Sequence, residues 1–164
     1  MAKETSPTRL TDPPEIGVGK LLRRAHMAFT RDFRERLSGH GFTFGEFIHL
    51  ERLWEEDGLN QKELSRRVGI ASASSTQIIE ALEKNKLIKR ERNANDRRSI
   101  NVFLTTQGRA KKGELLSCAK DANRLARKGL SPEAVVNLFA TVQKIIENLE
   151  ASSPPGARKD PLED

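Results

Sequence analysis

The sequence predicts a mainly α-helical protein with a small two-stranded β wing, which is a winged helix-turn-helix with additional helices at its N- and C-terminal ends. Two short helical patterns separated by a glycine occupy about residues 60–84, and two short strands joined by a polar loop follow at 87–105. Longer amphipathic stretches at 16–38 and 131–151 flank this central segment. These three observations predict the fold class, and local signals place each element.

Composition favours one compact domain. The 164 residues are 36% hydrophobic, which is enough for a core although 32% are charged. The one cysteine, Cys118, excludes an internal disulfide, and we interpret it as a packed or partly exposed residue without a redox role. Since the N-terminal segment lacks a signal peptide and no segment reaches membrane-spanning length, we expect a cytoplasmic protein without a membrane partner.

The first two helices have clear boundaries. The first, at 16–38, carries apolar residues on one stripe and ends before Gly39. The second begins at Thr43, which forms a capping box pattern with Glu46, and runs to Asp57.

The third and fourth helices form the predicted helix-turn-helix. Asn60, with Glu63 three residues later, predicts a second capping box and a third helix that runs to about Val68. Gly69 supplies the turn, and Ser72 is the predicted N-cap of the fourth helix.

The start of the fourth helix is the strongest candidate for contact with a DNA major groove. Its apolar residues Ile79 and Leu82 are expected to pack on the third helix. Capping alone would explain one hydroxyl residue at this end, but not four consecutive polar side chains. The predicted DNA-contacting residues are Ser72, Ser74, Ser75, Thr76 and Gln77.

The wing consists of strands at 87–92 and 99–105 with a tip at 93–98. Apolar and polar residues alternate from Ile100 to Leu104, as a half-buried strand requires. A hairpin that carries arginines can reach a minor groove, so the DNA-binding candidates here are Arg92, Asp96, Arg97 and Arg98.

Charge supports the same interpretation. The net charge of the chain is +6, but the segment 62–112 holds thirteen lysines and arginines against five acidic residues, a local balance of +8. Positive charge concentrated in one segment is typical of phosphate binding, whereas an evenly solvated surface would not concentrate it.

The C-terminal helices are predicted to support dimerisation. Thr105 caps a fifth helix that runs past Leu115 to Ala126, and Ser131 opens a sixth. The sixth helix could fold back within one chain, but pairing of two modules would allow a palindrome to be bound, so we expect a homodimer. The expected dimerisation residues are Leu22, Val135, Leu138, Val142, Ile145 and Leu149.

Three segments carry a resemblance to a known family: GFTFGEFIHLERLWEEDGLNQKELSRRVGI, ALEKNKLIKRERNANDRRS and VFLTTQGR. They resemble the multiple-antibiotic-resistance regulator (MarR) family of bacterial winged-helix repressors, over about residues 16–150. The most specific part of the resemblance is the wing motif Asp96-Arg97-Arg98, which is followed by Leu104-Thr105 and Gly108. The resemblance implies a dimer formed by the first and last helices, binding to pseudopalindromic operators, and release by a small effector.

By position, the resemblance implies a recognition helix from Ser72 to about Lys84, a wing braced by Asp96, and an Arg98 that enters the minor groove. The turn after this helix usually contains glycine, and here Asn85 is expected to take the left-handed conformation. The resulting domain organisation is a disordered tail at 1–15, a domain at 16–151 and a disordered tail at 152–164. Within the domain, about 43–106 would bind DNA, while about 16–40 and 107–151 would form the dimer.

The effector site is expected between the first, second and fifth helices, where the resemblance implies it. The effector would be a small aromatic or phenolic molecule or its CoA thioester. Packing in the core explains the phenylalanines of this region equally well. The candidate residues are Arg23, His26, Phe29, Phe33, Phe44 and Phe47.

Catalysis has little support, because the histidines are scattered and no nucleophile lies in a recognisable motif. Glu46 and His49 could begin a metal site, but two candidates without a third are more often surface residues, so we expect no metal or other cofactor. The alternatives that remain are a ligand-independent activator or architectural DNA-binding protein and, less favoured, a metal-responsive regulator or an enzyme built on the same fold.

Overall fold

The computed structural model describes residues 17–93 and 98–152. In these residues the chain forms seven helices and three short strands, and the predicted winged helix-turn-helix is confirmed. The predicted tails lie outside the described residues, apart from Ser152. The elements are α1 (Val18–Gly39), α2 (Phe44–Glu55), β1 (Leu59–Asn60), α3 (Gln61–Val68), α4 (Ser72–Lys84), β2 (Ile88–Arg92), β3 (Ile100–Leu104), α5 (Thr106–Ala110), α6 (Lys112–Ala126) and α7 (Pro132–Ala151).

The N-terminus of α2 confirms the predicted capping box. The backbone N–H of Glu46 donates to the hydroxyl of Thr43 at 3.1 Å, and the Glu46 carboxylate accepts from the Thr43 backbone N–H at 2.8 Å. Both bonds satisfy N–H groups that a helix start leaves without intrahelical partners.

The start of α3 corrects a prediction. Asn60 is the N-cap and accepts from the backbone N–H of Lys62 at 2.9 Å, but no capping box forms with Glu63. The Glu63 carboxylate instead accepts from the guanidinium groups of Arg66 and Arg67, which lower its pKa to about 2. The charged partners on the same helix outcompete the neutral backbone N–H.

Both ends of α4 also differ from the prediction. The N-cap is Ala71, whose side chain makes no capping bond, so Ser72 is the first residue of the helix rather than its cap. At the other end Lys86, and not Asn85, takes the left-handed conformation, with φ +60°. The N–H of Leu87 donates to the carbonyl of Leu82, which closes the helix with a Schellman-type turn.

The wing contains one more strand than predicted. The antiparallel sheet has the order β1-β3-β2, with Leu59 opposite Val102 and Ile88 opposite Leu104. The apolar side chains of these four residues are buried, so the inner face of the wing is part of the core. The hairpin is therefore supported by packing on the helices, as a short ribbon requires.

The predicted fifth helix is divided in two. Thr105 caps α5 as predicted, accepting from the N–H of Gly108 at 3.1 Å. The helix is interrupted at Lys111, and α6 begins at the next residue. A Cβ at Gly108 would lie only 2.0 Å from the carbonyl oxygen of Leu87, so glycine permits this close contact between α5 and the wing. The Trp54 indole donates to the Gly108 carbonyl at 3.1 Å.

One core joins α1, α2, α3, α4, the sheet and α6. Cys118 belongs to this core, where burial raises the pKa of its thiol. By contrast, no residue of α7 is buried. Over residues 17–93 and 98–152, none of the helices combines the length and apolar character that crossing a membrane demands. The core contains Phe33, Leu37, Phe47, Leu50, Leu53, Leu59, Leu64, Val68, Ile79, Leu82, Leu87, Ile88, Val102, Leu104, Leu115, Cys118 and Ala122.

Candidate DNA-binding site

The polar start of α4 lies on the surface, immediately after the left-handed turn at Gly69. Ser72, Ser74 and Gln77 are exposed. Thr76 is half-buried, and its hydroxyl donates to the Ser72 carbonyl at 2.9 Å. Four of the five polar residues predicted on this helix therefore reach its surface.

Ser75 is the exception, and its predicted role in DNA contact is wrong. Its side chain is fully buried, and its hydroxyl lies 2.8 Å from Nε2 of His49 and 2.7 Å from Oγ of Ser65. The sequence contained a signal for this position, because Ser75 precedes Ile79 by four residues and Leu82 by seven. Such spacing places all three on one helix face.

The expectation that Glu46 and His49 are surface residues is also wrong. Glu46 is 9% exposed and is used by the capping box, and His49 is fully buried against α4. Their positions follow from local packing and capping. Among the residues that the structure describes, no three His, Cys, Asp or Glu side chains are grouped so that they could hold a metal ion.

The wing presents arginines on both sides of its tip. Arg92 ends β2 and is exposed, and Arg98 is exposed just before β3. Between them, the N–H of Asn93 donates to the carbonyl of Ser99 at 2.9 Å, which extends the hairpin pairing. The predicted residues Asp96 and Arg97 lie outside the described residues.

An ion pair that sequence reasoning missed connects α4 to the wing. The Glu83 carboxylate accepts from the Arg90 backbone N–H at 3.1 Å and from Nε of its guanidinium at 2.9 Å, and Nη2 lies 2.7 Å from the same carboxylate as an ion pair. Hydrogen bonds from Arg90 hold the pKa of Glu83 below its usual range. The only signal in the sequence is a pair of opposite charges seven residues apart across a turn.

The aromatic candidates for the effector site form one cluster between α1 and α2. The Phe33 ring lies 4.8 Å from that of Phe47, 5.9 Å from Phe44 and 6.2 Å from Phe29, measured between centroids. Phe33 and Phe47 are buried, whereas Phe29 and Phe44 are half-buried. Packing in the core thus accounts for the inner pair.

The polar effector candidates precede the aromatic residues of α1 and are exposed. Arg23 and His26 are exposed on α1, and His26 contacts only the hydroxyl of Thr30, at 3.5 Å, among the bonds described. An open groove of about 370 Å³ exists beside α1 and α6, but it contains none of the predicted effector residues. It is lined by Arg36, Asp121, Arg124, Leu125 and Lys128.

The two terminal helices expose apolar side chains. In the predicted stripe of α7, Leu138 is 49% and Leu149 is 64% exposed, while Val135, Val142 and Ile145 are half-buried. Leu22 of α1 is also half-buried. Further apolar residues that sequence reasoning did not single out are exposed on the same helices, namely Leu21, Met27, Val136, Phe139 and Ile146.

A helix-turn-helix that presents small polar side chains, followed by an arginine-bearing hairpin, defines a winged-helix DNA-binding protein. The chain belongs to the MarR family of transcriptional regulators, whose family model matches residues 42–100. Members of this family and the relatives found are DNA-binding regulators rather than enzymes.

Named relatives support the assignment. The transcriptional regulator TtmR of Methylorubrum extorquens is 36% identical over 88 residues, which cover 54% of this chain and 45% of that relative. The transcriptional repressor Rv2887 of Mycobacterium tuberculosis is 31% identical over 112 residues, which cover 67% of this chain and 81% of that relative.

A solved structure is similar over most of its length. BpsR of Bordetella bronchiseptica is 27% identical, with a TM-score of 0.70 over 79% of this chain and 98% of that chain. That structure describes a mechanism for regulation of DNA binding by 6-hydroxynicotinic acid.

Proposed function

We propose that this regulator is a repressor that binds a pseudopalindromic operator as a homodimer and is released by a small effector. The observation that carries the proposal is the surface formed by Ser72, Ser74 and Gln77 beside a wing with exposed Arg92 and Arg98. Hydroxyl and amide groups can hydrogen-bond base edges in a major groove, and arginines suit a narrow minor groove. The name of the relative Rv2887 supports the repressor mode.

The proposed DNA contacts divide by chemistry. Side chains at the start of α4 would read bases, whereas the wing arginines and Thr76 would contact phosphates or the minor groove. Asp96 and Arg97 remain part of the proposal through their place in the wing motif. In this division residues of about 43–106 bind DNA, and about 16–40 and 107–151 form the dimer.

Homodimerisation is supported by the apolar surfaces of α1 and α7. A helix of twenty residues without one fully buried side chain gains little stability from packing within its own chain. Contact with a second copy would remove apolar side chains of α7 from water, among them Val135, Leu138 and Phe139, together with the apolar residues of α1.

The proposed effector is a small aromatic or phenolic acid or its CoA thioester. A hydroxylated aromatic acid regulates the similar protein BpsR, which supports this class. The half-buried rings of Phe29 and Phe44 could contact an aromatic ligand, and the exposed Arg23 could pair with its carboxylate.

The experiment uses full-length protein and a duplex that it selects from a randomised library. Fluorescence anisotropy would measure affinity for this duplex and for a scrambled one, with and without 6-hydroxynicotinic acid as the probe. Preference for the selected duplex, and release on adding the acid, are expected. Absence of preference would contradict operator binding, while preference without release would contradict this acid as an effector.

A further inference from the structure

A chain of buried polar side chains connects three helices behind the DNA-facing surface. His49 of α2 and Ser75 of α4 are fully buried, and Ser65 of α3 is 6% exposed. The Ser75 hydroxyl lies within 2.8 Å of both other side chains, and Ser65 lies 2.9 Å from the carbonyl of Gln61. Polar groups at such depth are costly unless they are hydrogen-bonded, and here each has a partner.

The direction of these bonds follows from the chemistry of the partners. Nδ1 of His49 lies 2.7 Å from the carbonyl oxygen of Gly45, which can only accept, so Nδ1 carries the proton. Burial lowers the pKa of His49, and the neutral ring leaves Nε2 as an acceptor. The Ser75 hydroxyl therefore donates to Nε2, and its oxygen can accept from Ser65, whose single hydroxyl proton is shared between Ser75 and the Gln61 carbonyl.

The side chain of Ile78 on α4 packs against Gly45 of α2 at the same place. A Cβ added at Gly45 would lie 2.7 Å from Cδ1 of Ile78, so a larger residue would require the end of that side chain to shift. Gly45 and His49 are one turn apart on α2, and they contact Ile78 and Ser75 on α4. The contact thus combines a small residue that accommodates an apolar side chain with a directional bond.

This arrangement matters because Ser75 lies between residues that face the solvent. Each residue of an α-helix turns the chain by about 100°, so fixing one side chain fixes the directions of its neighbours. Ile79 and Leu82 also anchor α4, but apolar contacts are not directional, whereas a hydrogen bond is.

We propose that His49 is a positioning residue for DNA recognition: its bond to Ser75 sets the rotation of α4 and so the direction of Ser74 and Gln77. The inference rests on the proposed function, because it assumes that α4 reads the operator. It predicts that loss of the bond reduces discrimination between sequences more than it reduces the sequence-independent attraction of basic residues to phosphates.

The test distinguishes the hydrogen bond at Nε2 of His49 from the one at Nδ1. The amide of His49→Gln extends about as far as Nε2 and can still bond Ser75, whereas the shorter His49→Asn can reach only toward Gly45. Ser75→Ala removes the same bond from the other side and is a small change that is expected to fold. For each variant, anisotropy would give the ratio of its affinities for the selected and the scrambled duplex. The measurement would be made well below the unfolding temperature of that variant.

The expected result is a retained ratio for His49→Gln and a ratio reduced about fivefold or more for His49→Asn and for Ser75→Ala, comparable to losing one base contact. The double variant His49→Asn with Ser75→Ala should lose no more than Ser75→Ala alone, because Ser75→Ala already removes both the bond to His49 and the contact with Ser65. Affinity for the scrambled duplex should stay within about twofold throughout.

Cys118→Ala is the matched control, since Cys118 lies in the core on α6 and takes no part in the hydrogen bonds of Ser75. It should lower the unfolding temperature and leave the ratio unchanged. Unchanged ratios in folded His49→Asn and Ser75→Ala protein would overturn the proposal and leave His49 with a role in stability alone. A wild-type protein that shows no preference would instead contradict the proposed function, so the two failures are distinguishable.

Discussion

The carboxylate of Glu83 accepts two hydrogen bonds from Arg90, one from its backbone N–H and one from Nε of its guanidinium, and it forms an ion pair with Nη2. Glu83 lies in the last turn of α4, and Arg90 is the central residue of β2. The bond therefore joins the helix proposed to read the major groove to the wing proposed to reach the minor groove. The relative position of these two elements decides whether both can contact one duplex.

Glu83→Ala is expected to lower the free energy of unfolding by about 1 kcal/mol, because it removes a partly exposed ion pair and leaves the Arg90 N–H to water. Urea denaturation would measure this change. Glu80→Ala is the control, since Glu80 lies 4.0 Å from Arg90 and is more exposed than Glu83. Equal losses for the two variants would contradict a specific role for Glu83.

The wing arginine provides a second test. Arg98→Ala should weaken binding to the selected duplex by about 1–3 kcal/mol if its side chain enters a narrow minor groove with enhanced negative potential. The fold should remain, as circular dichroism would show. Arg127→Ala removes the same charge at the end of α6, and an equal effect there would mean that Arg98 acts only through net charge.

Assembly can be tested on α7. Replacing Leu138 and Ile145 together by Asp places two carboxylates in the proposed apolar interface, so the dimer should dissociate. Sedimentation measures the mass. Asn137→Asp with Asn148→Asp adds two carboxylates to the polar face of the same helix and should leave the dimer intact. A dimer that survives the first change would place the interface elsewhere.

The pH dependence of stability follows from the buried imidazole. Burial lowers the pKa of His49 in the folded state below its ordinary value of about 6.5, so the unfolded chain binds this proton more readily. The stabilising effect of the neutral imidazole is present above about pH 6.5, and it is lost as the pH falls toward the pKa of the folded state.

Urea unfolding between about pH 7.5 and pH 5.5 should therefore show a loss of stability in the wild type that is smaller in His49→Gln. The carboxyl of Glu63, with a pKa of about 2, titrates well below this window and does not contribute. Parallel curves for the two proteins would show that the pKa of His49 is the same in the folded and unfolded states, and would contradict its lowering by burial.

Local signals predicted most of the fold, and contacts between distant segments account for what was missed. The capping box of Thr43 and Glu46 depends on residues three apart, so the sequence contains all of it. The choice between Asn85 and Lys86 for the left-handed turn depends on how the chain leaves α4 and enters the wing. Propensity alone favoured asparagine, and the required backbone path overruled it.

The candidate site shows the same difference between what local signals predict and what contacts between distant segments decide. Polarity identified the start of α4, but polarity alone does not say which hydroxyl faces solvent and which faces the core. The spacing from Ile79 and Leu82 places Ser75 on the apolar face, and His49, twenty-six positions earlier, offers it an acceptor there. The bond between Glu83 and Arg90 likewise forms only after the turn brings α4 and β2 together.

Operator spacing tests the proposed dimer as a whole. Two recognition helices related by a two-fold axis would enter successive major grooves, with half-sites about one helical turn, or roughly 10 base pairs, apart. Inserting roughly five base pairs between the half-sites of the selected duplex rotates them to opposite sides of the helix, so specific affinity should fall to that of the scrambled duplex. Substituting the same number of central base pairs without changing the length is the control, because it alters sequence but not helical phase. Anisotropy at one fixed salt concentration compares the three duplexes. If the protein binds the duplex with the insertion as tightly as the original duplex, each module binds DNA independently. A dimer on a pseudopalindromic operator then does not describe this protein.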